Sequence, residues 1–475
     1  MEIMVENNLK LNDKIELEII GIANGGEGVG RHNNFVVFVP YSAVNDVLEV
    51  EITELSKTFA RGKIVKILKS SLDRIKPICK AYFENGKEKF CGGCDFMHID
   101  YKKQVKYKEN FVINALEKIG RIKKDEYIWD GIVGNTEQTV FGYRNKLQMP
   151  MAIDEKKNAY TGFFAPGTHC VVKIDECYIQ PNELNLIFQE FVNLVNKFKI
   201  PVYDETKQTA ANGVRHLCLR TNKNKEVLLT IVGTYAQGKD GKILENIKNL
   251  ANELFEKFKG TVKGIVYNVN TENSNFVFGD KFFTICGIDE LTEKIGEINY
   301  KISSASFLQV NSFIAEKLYS DLKDFINPKG DEKVLDLYCG SGGIGLFIAN
   351  KIGKLIGVEI SKSAAENAAL TASENGITNA LYYNAKVEEI LDELCDENAD
   401  IVILNPPRKG IAEEVVGQIN KINPAKIIYV SCNPTTLARD LKRFKEIGYI
   451  LKRAKAFDMF PQTSNVETLT ILERK

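Results

Sequence analysis

From residue 331 onward the chain alternates short apolar runs with helix-like stretches, and this rhythm constrains the fold more than any other feature. The runs VLDLYCG, LIGVEI, ALYYNA, DIVILNPP and IIYVSC are each followed by a stretch of helical character. Continuous apolar runs of this length read as strands buried on both faces. Strands separated by helices pair in parallel, because the crossover returns the chain to the starting edge. Residues 301–475 are therefore expected to form a Rossmann-like, doubly wound α/β domain that binds ligands at the carboxyl ends of its strands.

The chain has 475 residues, enough for two to four domains, and 44% of them are hydrophobic, enough to fill real cores. Residues 10–68 read as five short strands punctuated by Gly25, Gly26, Gly28 and Gly30. The pattern predicts a small OB-like β-barrel over residues 1–70. Residues 71–300 read as a central α+β domain, within which a helix over about 101–121 is expected to pack with the C-terminal domain. No apolar run is long enough to span a membrane, and MEIMVENNLKLNDKIELEII lacks the pattern of a leader. A cytoplasmic protein is the expectation. Ten cysteines in that compartment point to free thiols, metal or catalysis. Net charge is zero, yet Lys57–Glu109 holds fourteen Lys/Arg against six Asp/Glu, an excess of eight. Such a block suits a phosphate backbone, and equally a solvated face.

DLYCGSGGIGL (Asp336–Leu346) contains Gly340-x-Gly342-x-x-Gly345, a nucleotide-binding pattern that is weak when alone. Asp336 inside the strand and Glu359 at the end of the next favour S-adenosylmethionine over NAD; Glu359 can take two ribose hydroxyls. Asn405-Pro406-Pro407-Arg408 resembles the NPPY loop of amino-methyltransferases, with arginine replacing the aromatic residue that stacks on the base. Cys432 ends the fifth strand, where positive charge or a helix N-terminus lowers a thiol pKa. Methyl transfer to C5 of uracil needs a nucleophile at C6 to create an enolate, and then a base to remove the C5 proton. Cys432 fits the first role and Glu467, in DMFPQTSNVETL, the second. Cys79, Cys91 and Cys94 form C-x11-C-x2-C, with Cys177 downstream and Cys170 as a rival to it. Four thiolates suit zinc or an iron–sulfur cluster, and spacing does not choose. Cys218, Cys286 and Cys395 read as core thiols, and Cys339 as structural. His32, His98, His169 and His216 show no metal-ligand spacing.

Together with FLQVN (Phe307–Asn311), YRNK (Tyr143–Lys146) and the glycine-rich N-terminal stretch, the motifs DLYCGSGGIG, NPPRKG, YVSCNPTTLARD and DMFPQTSNVE make the chain resemble bacterial RNA (uracil-5-)-methyltransferases that carry a TRAM domain and an iron–sulfur cluster. The resemblance covers essentially the whole length. It implies a TRAM barrel, a central domain with the cluster and a C-terminal methyltransferase domain. It implies Cys432 as nucleophile and Glu467 as base. Gln309, Tyr338, Glu359 and Asn405 fall at positions that contact S-adenosylmethionine, with Asn405 where most such ribosomal enzymes have aspartate. Cys79, Cys91, Cys94 and Cys177 match the ligands of a [4Fe–4S] cluster, with YFENGKEK as a loop insertion between the first two. The expected partner is RNA, 23S ribosomal RNA first, bound by a monomer without membrane. Transfer RNA as substrate, an amino-methyltransferase and a silent RNA-binding assembly factor are the alternatives, with a dehydrogenase more distant.

Overall fold

Every second residue along Lys14–Ile22 is buried until the strand frays, and this period of two closes the N-terminal segment on itself. In the computed structural model, which describes residues 9–203, 212–235, 241–272, 274 and 276–475, five strands form a closed barrel in the order β1-β2-β3-β5-β4. They are β1 Lys14–Ile22, β2 Gly28–His32, β3 Phe35–Val39, β4 Val47–Leu55 and β5 Phe59–Lys69. Leu17, Ile19, Val37, Val50 and Ile52 fill its interior. Closure removes the open edges that a small sheet would otherwise expose. The first eight residues, part of the stretch read for a leader, lie outside the described residues.

The cysteine-bearing segment follows without regular structure up to α1 (Tyr101–Lys118), whose N-cap Asp100 accepts a hydrogen bond from the Lys102 amide. One face of α1 buries Val112, Ala115 and Leu116 in the same core as Leu437 and Leu441 of the C-terminal domain. The central segment then builds a seven-stranded sheet, β13-β12-β11-β10-β7-β8-β9. Its elements are β7 Lys146–Ile153, β8 Ala159–Phe164, β9 Val171–Lys173, α2 Asn182–Lys197, β10 Val214–Thr221, β11 Val227–Gly233, α3 Gly241–Lys257, β12 Val262–Val269 and β13 Lys281–Gly287. A hairpin, β14 Glu290–Ile295 and β15 Ile298–Ser303, leads to α4 (Ser312–Ile326).

The C-terminal alternation folds as an eight-stranded sheet in the order β18-β17-β16-β19-β20-β22-β21-β6. The parallel strands are β16 Lys333–Leu337, β17 Lys354–Glu359, β18 Ala380–Asn384, β19 Ile401–Leu404 and β20 Lys426–Ser431, and β21 Tyr449–Phe457 and β22 Glu467–Arg474 add an antiparallel pair. Helices α5 Gly343–Ile348, α6 Lys362–Glu374, α7 Val387–Ile390, α8 Glu413–Ile422 and α9 Pro434–Glu446 separate them. The order reverses between β16 and β19, which opens a crevice at their carboxyl ends. The edge strand β6 (Ile128–Val133) comes from the segment expected to belong to the central domain, yet it pairs in parallel with β21. Among the described residues no helix is long and apolar enough to cross a membrane.

Candidate active site and thiol cavity

The glycine loop leaves β16 through three left-handed residues, Tyr338 (φ 60°), Gly340 (φ 57°) and Gly342 (φ 76°). Glycine suits two of these positions because it has no Cβ to clash there. Two carboxylates pin the loop. Asp336 accepts from the Gly345 amide (3.0 Å), and Glu359 accepts from the amides of Gly340 (3.0 Å) and Ser361 (2.8 Å). Burial raises the Asp336 carboxyl to about 7, and its second oxygen has no hydrogen-bond partner. The Asn405 amide donates to the Leu337 carbonyl (3.3 Å), and the Tyr338 hydroxyl donates to Glu388 (3.2 Å). A Cβ built on Gly340 would lie 3.6 Å from the Phe307 ring, so the segment carrying buried Gln309 runs over this loop. Tyr338, Glu359, Asn405 and the Gln309 segment are thus gathered at the switch point.

Cys432 sits between β20 and α9, half-buried, just ahead of Asn433, whose side chain caps α9 by accepting from the Thr435 amide (3.0 Å). The rest of its motif holds the neighbouring NPPRKG loop. Thr436 and Asn433 donate to the Arg408 carbonyl, and Arg439 donates to the Lys409 carbonyl. Asp440, fully buried, accepts from the Tyr429 hydroxyl (2.8 Å) and the Ile411 amide (3.1 Å). Arg408, thus placed, donates to Asn465 (3.1 Å) and faces both Cys432 and Glu467. Burial, then the Glu467 carboxyl, push the Cys432 thiol up to about 11, while Arg408 draws it down by charge and hydrogen bond. Burial lifts Glu467 to about 8, again opposed by Arg408. A thiol and a carboxyl therefore share one guanidinium beside the crevice, an arrangement able to add sulfur to an electrophilic carbon and to accept a proton. In the sequence Arg408 stands out only as the residue that replaces the stacking aromatic of the NPPY loop.

The loop before Glu467 is held by residues the sequence reading did not single out. Ser464 donates to Asp95 through its amide and its hydroxyl (both 2.6 Å), and Gln104 and Gln462 exchange hydrogen bonds. Lys108, fully buried, pairs with Asp458 (2.5 Å) and donates to the Phe460 carbonyl (2.9 Å). A signal was present, since Gln104 and Lys108 stand four apart on the face of α1 that also carries Phe111 and Val112. The barrel reaches the same place. Asn24, between β1 and β2, donates to Thr435 (2.8 Å), and a Cβ on Gly26 would lie 2.9 Å from that of Ser464.

Cys79, Cys91, Cys94 and Cys177 line one cavity of about 240 Å³, together with Arg144 and Lys146. Cys170 is not among the lining residues. Burial, and then neighbouring thiols, raise Cys94. Burial also lifts Cys91 to about 11 and Cys177 to about 12. Among the described residues no three His, Cys, Asp or Glu side chains form a group that could hold a metal ion. The YFENGKEK insertion is a built element, with Phe83 stacked on Tyr41 (4.5 Å) and Asn85 donating to the Val65 carbonyl of β5 (2.8 Å). Cys218 and Cys339 are buried, whereas Cys286 and Cys395 are only half-buried at the core margins, because flanking apolar residues do not fix depth. His98 bridges the Tyr82 hydroxyl and the Ser42 carbonyl.

Comparison with known proteins places these features in one group. The model of the tRNA (Uracil-5-)-methyltransferase family matches residues 143–475, and that of the TRAM domain matches residues 9–65. An uncharacterized RNA methyltransferase of Fusobacterium nucleatum is 38% identical over 98% of this chain and 97% of its own length. One from Clostridium tetani is 35% identical, over 98% and 97%. The crystal structure of the Pyrococcus abyssi tRNA (uracil-54, C5)-methyltransferase in complex with S-adenosyl-L-homocysteine superposes with a TM-score of 0.73 at 25% identity, covering 96% of this chain and 99% of that one. The protein is an RNA methyltransferase with an N-terminal TRAM domain, and it belongs to the tRNA (uracil-5-)-methyltransferase family.

Proposed function

We propose that this enzyme methylates C5 of a uridine in RNA through a covalent Cys432–C6 adduct. The observation that carries the reading is the pairing of Cys432 with Glu467 across Arg408, at the crevice edge where β20 ends and antiparallel β22 begins. S-adenosylmethionine supplies the methyl group on a cationic sulfonium. Gln309, Tyr338, Glu359 and Asn405 hold it, with Asn405 contributing hydrogen bonds but no charge. Cys432 adds to C6, Arg408 favours the anionic forms of both neighbours, and Glu467 removes the C5 proton after methylation. The uridine must leave its stack to enter the crevice. The TRAM barrel and the basic segment after it hold the RNA backbone.

The RNA we propose is 23S ribosomal RNA. Transfer RNA is a second reading, favoured by the likeness to the Pyrococcus abyssi tRNA (uracil-54, C5)-methyltransferase. Mapping 5-methyluridine in both RNAs from a deletion strain separates them.

For the four-cysteine cavity we propose a [4Fe–4S] cluster. Among the described residues no three His, Cys, Asp or Glu side chains are set to hold a metal ion as they stand, and what supports the cluster is that all four thiols line one cavity. A lone zinc would need all its ligands about 2.3 Å from one point. Bound there, the cluster orders the segment around Cys94.

The test uses full-length enzyme and a transcript containing the target. Cys432→Ala should lower turnover by at least ~10⁴-fold while S-adenosylmethionine binding persists. Glu467→Gln should leave a protein–RNA adduct that survives a denaturing gel. Turnover retained in Cys432→Ala, or no adduct in Glu467→Gln, rejects this mechanism.

A further inference from the structure

The connection between β21 and β22, residues 458–466, delivers Glu467 to the crevice, yet little within it sets its shape. Its own bonds are few, a Thr463–Phe460 turn and contacts among Thr463 and Asn465. Gln462 stands at φ 69°, a backbone conformation that a non-glycine residue holds only when its surroundings impose it. What imposes it comes from residues 95–108 and Tyr143. The amides of Asp95 and Phe96 donate to the Gln462 carbonyl (3.3 and 3.0 Å), Gln104 accepts from the Gln462 amide (3.0 Å), and the Tyr143 hydroxyl donates to the Pro461 carbonyl (3.0 Å). Three residues before Glu467, both oxygens of Asp95 are engaged by Ser464 at 2.6 Å. Cys432 is held by the cap of α9 and the Arg408 loop, which meets this connection where Arg408 donates to Asn465 (3.1 Å).

We infer that Asp95, through Ser464, is a positioning residue for Glu467 and controls the release step of the reaction without taking part in the attack. This rests on the proposed roles of Cys432 and Glu467. In the release step the Glu467 carboxylate takes the C5 proton. The C5–H electron pair becomes the C5=C6 double bond, the C6–Sγ bond breaks, and its pair leaves on the Cys432 thiolate. Proton transfer requires the carboxylate within about 2.6–3.2 Å of its target, directly or through one water. A displacement of about 1 Å costs on the order of 100-fold. Because Asp95 follows Cys94 directly, whatever fixes that thiol also fixes this clamp.

The experiment compares Asp95→Ala, Asp95→Asn and Ser464→Ala with Glu467→Gln and wild type in the full chain, using the target transcript and S-adenosylmethionine labelled in its methyl group. Expected is a fall in kcat of ~10–100-fold in Asp95→Ala with KM for RNA changed less than ~3-fold. The labelled, gel-stable adduct should accumulate at least ~10-fold over wild type. Asp95→Asn, which keeps one acceptor oxygen, should recover part of the loss. Ser464→Ala removes only the hydroxyl bond and keeps the inference testable if Asp95→Ala does not fold; it should show the same adduct to a smaller extent. Loss of turnover without adduct in the Asp95 and Ser464 variants, a change confined to KM, or unchanged turnover overturns the inference when Glu467→Gln still traps the adduct. Failure of Glu467→Gln itself to trap one instead brings down the reading of Glu467, and this inference with it.

Discussion

Cys432 and the quartet of Cys79, Cys91, Cys94 and Cys177 meet the same penalty with opposite means. Burial disfavours the thiolate in both places. At Cys432 the added repulsion comes from one carboxyl, and a guanidinium stands in reach to cancel it. The thiol still stands at about 11, so on the proposed mechanism it ionises only as it attacks, with Arg408 beside it. In the cavity the thiols raise one another, Arg144 offsets part of this at Cys177, and Lys146 is itself weakened as a cation. Burial and the neighbouring Arg220 lower Lys146 to about 7. Four thiolates there need a multivalent cationic centre between them. On the proposed roles, one site ionises transiently and the other only when filled.

The largest expected effect separates the two by stability. Cys177→Ser should lower the melting temperature by roughly 10 °C or more and reduce bound iron, since an alcohol is a poor ligand and the segment around the cavity loses its tie. Cys432→Ser should leave melting temperature and iron content unchanged while removing turnover. Differential scanning calorimetry and iron analysis of both variants decide it. Equal thermal losses would erase the distinction drawn between the sites.

What could be read in advance follows the same division between local and distant causes. The strand–helix rhythm gave the parallel sheet because burial on both faces is written into each apolar run. The N-terminal barrel was legible from its period of two and its glycines. Strand β6 was not, because pairing partners are non-local: IWDGIV joins β21 more than 300 residues away, and nothing in its own six residues says so. The cysteines and Glu467 stood out as residue types that chemistry needs. Asp95 and Ser464 did not, because a carboxylate and a hydroxyl are common at surfaces and only the fold brings this pair together. Lys108 is the instructive case, since a buried lysine looks in sequence like any other in the basic block, and its value lies in Asp458 and the Phe460 carbonyl.

A smaller effect tests the electrostatics of the crevice. Glu467 is buried and its carboxyl is raised to about 8, so the folded state holds a proton that the unfolded chain releases near pH 4.5. Between those values the native state binds more protons than the unfolded one, and stability falls as pH rises. Glu467→Gln has no proton to lose. Wild type and variant should therefore melt with the smallest difference near pH 4.5, and the variant should gain progressively up to about pH 8, by on the order of 5 kcal/mol. A gap that is constant with pH would mean that Glu467 is ionised throughout, and that Arg408 outweighs burial.

The smallest effect concerns how far the two sites can be perturbed independently. Phe83 lies in the insertion between Cys79 and Cys91, half-buried, stacked on Tyr41 at 4.5 Å and edge-on to Phe90 at 5.1 Å. It touches both the barrel core and the cluster of side chains around Tyr82 and Cys94, so the long spacing serves as a rivet between barrel and cavity. Phe83→Ala removes two aromatic pairs and part of a ring's burial, about 1–3 kcal/mol. Hydrogen exchange should rise in β3 and β5 and around Cys79–Cys94, and RNA affinity should fall a few-fold as the barrel loosens. The rate at which iodoacetamide alkylates Cys432 should not change, because Cys432 is held by α9 and the Arg408 loop, neither of which Phe83 touches. A faster alkylation would show that the rivet, through Gly26 and Ser464, also shapes the crevice, and the two thiol environments would then have to be treated as one mechanical unit.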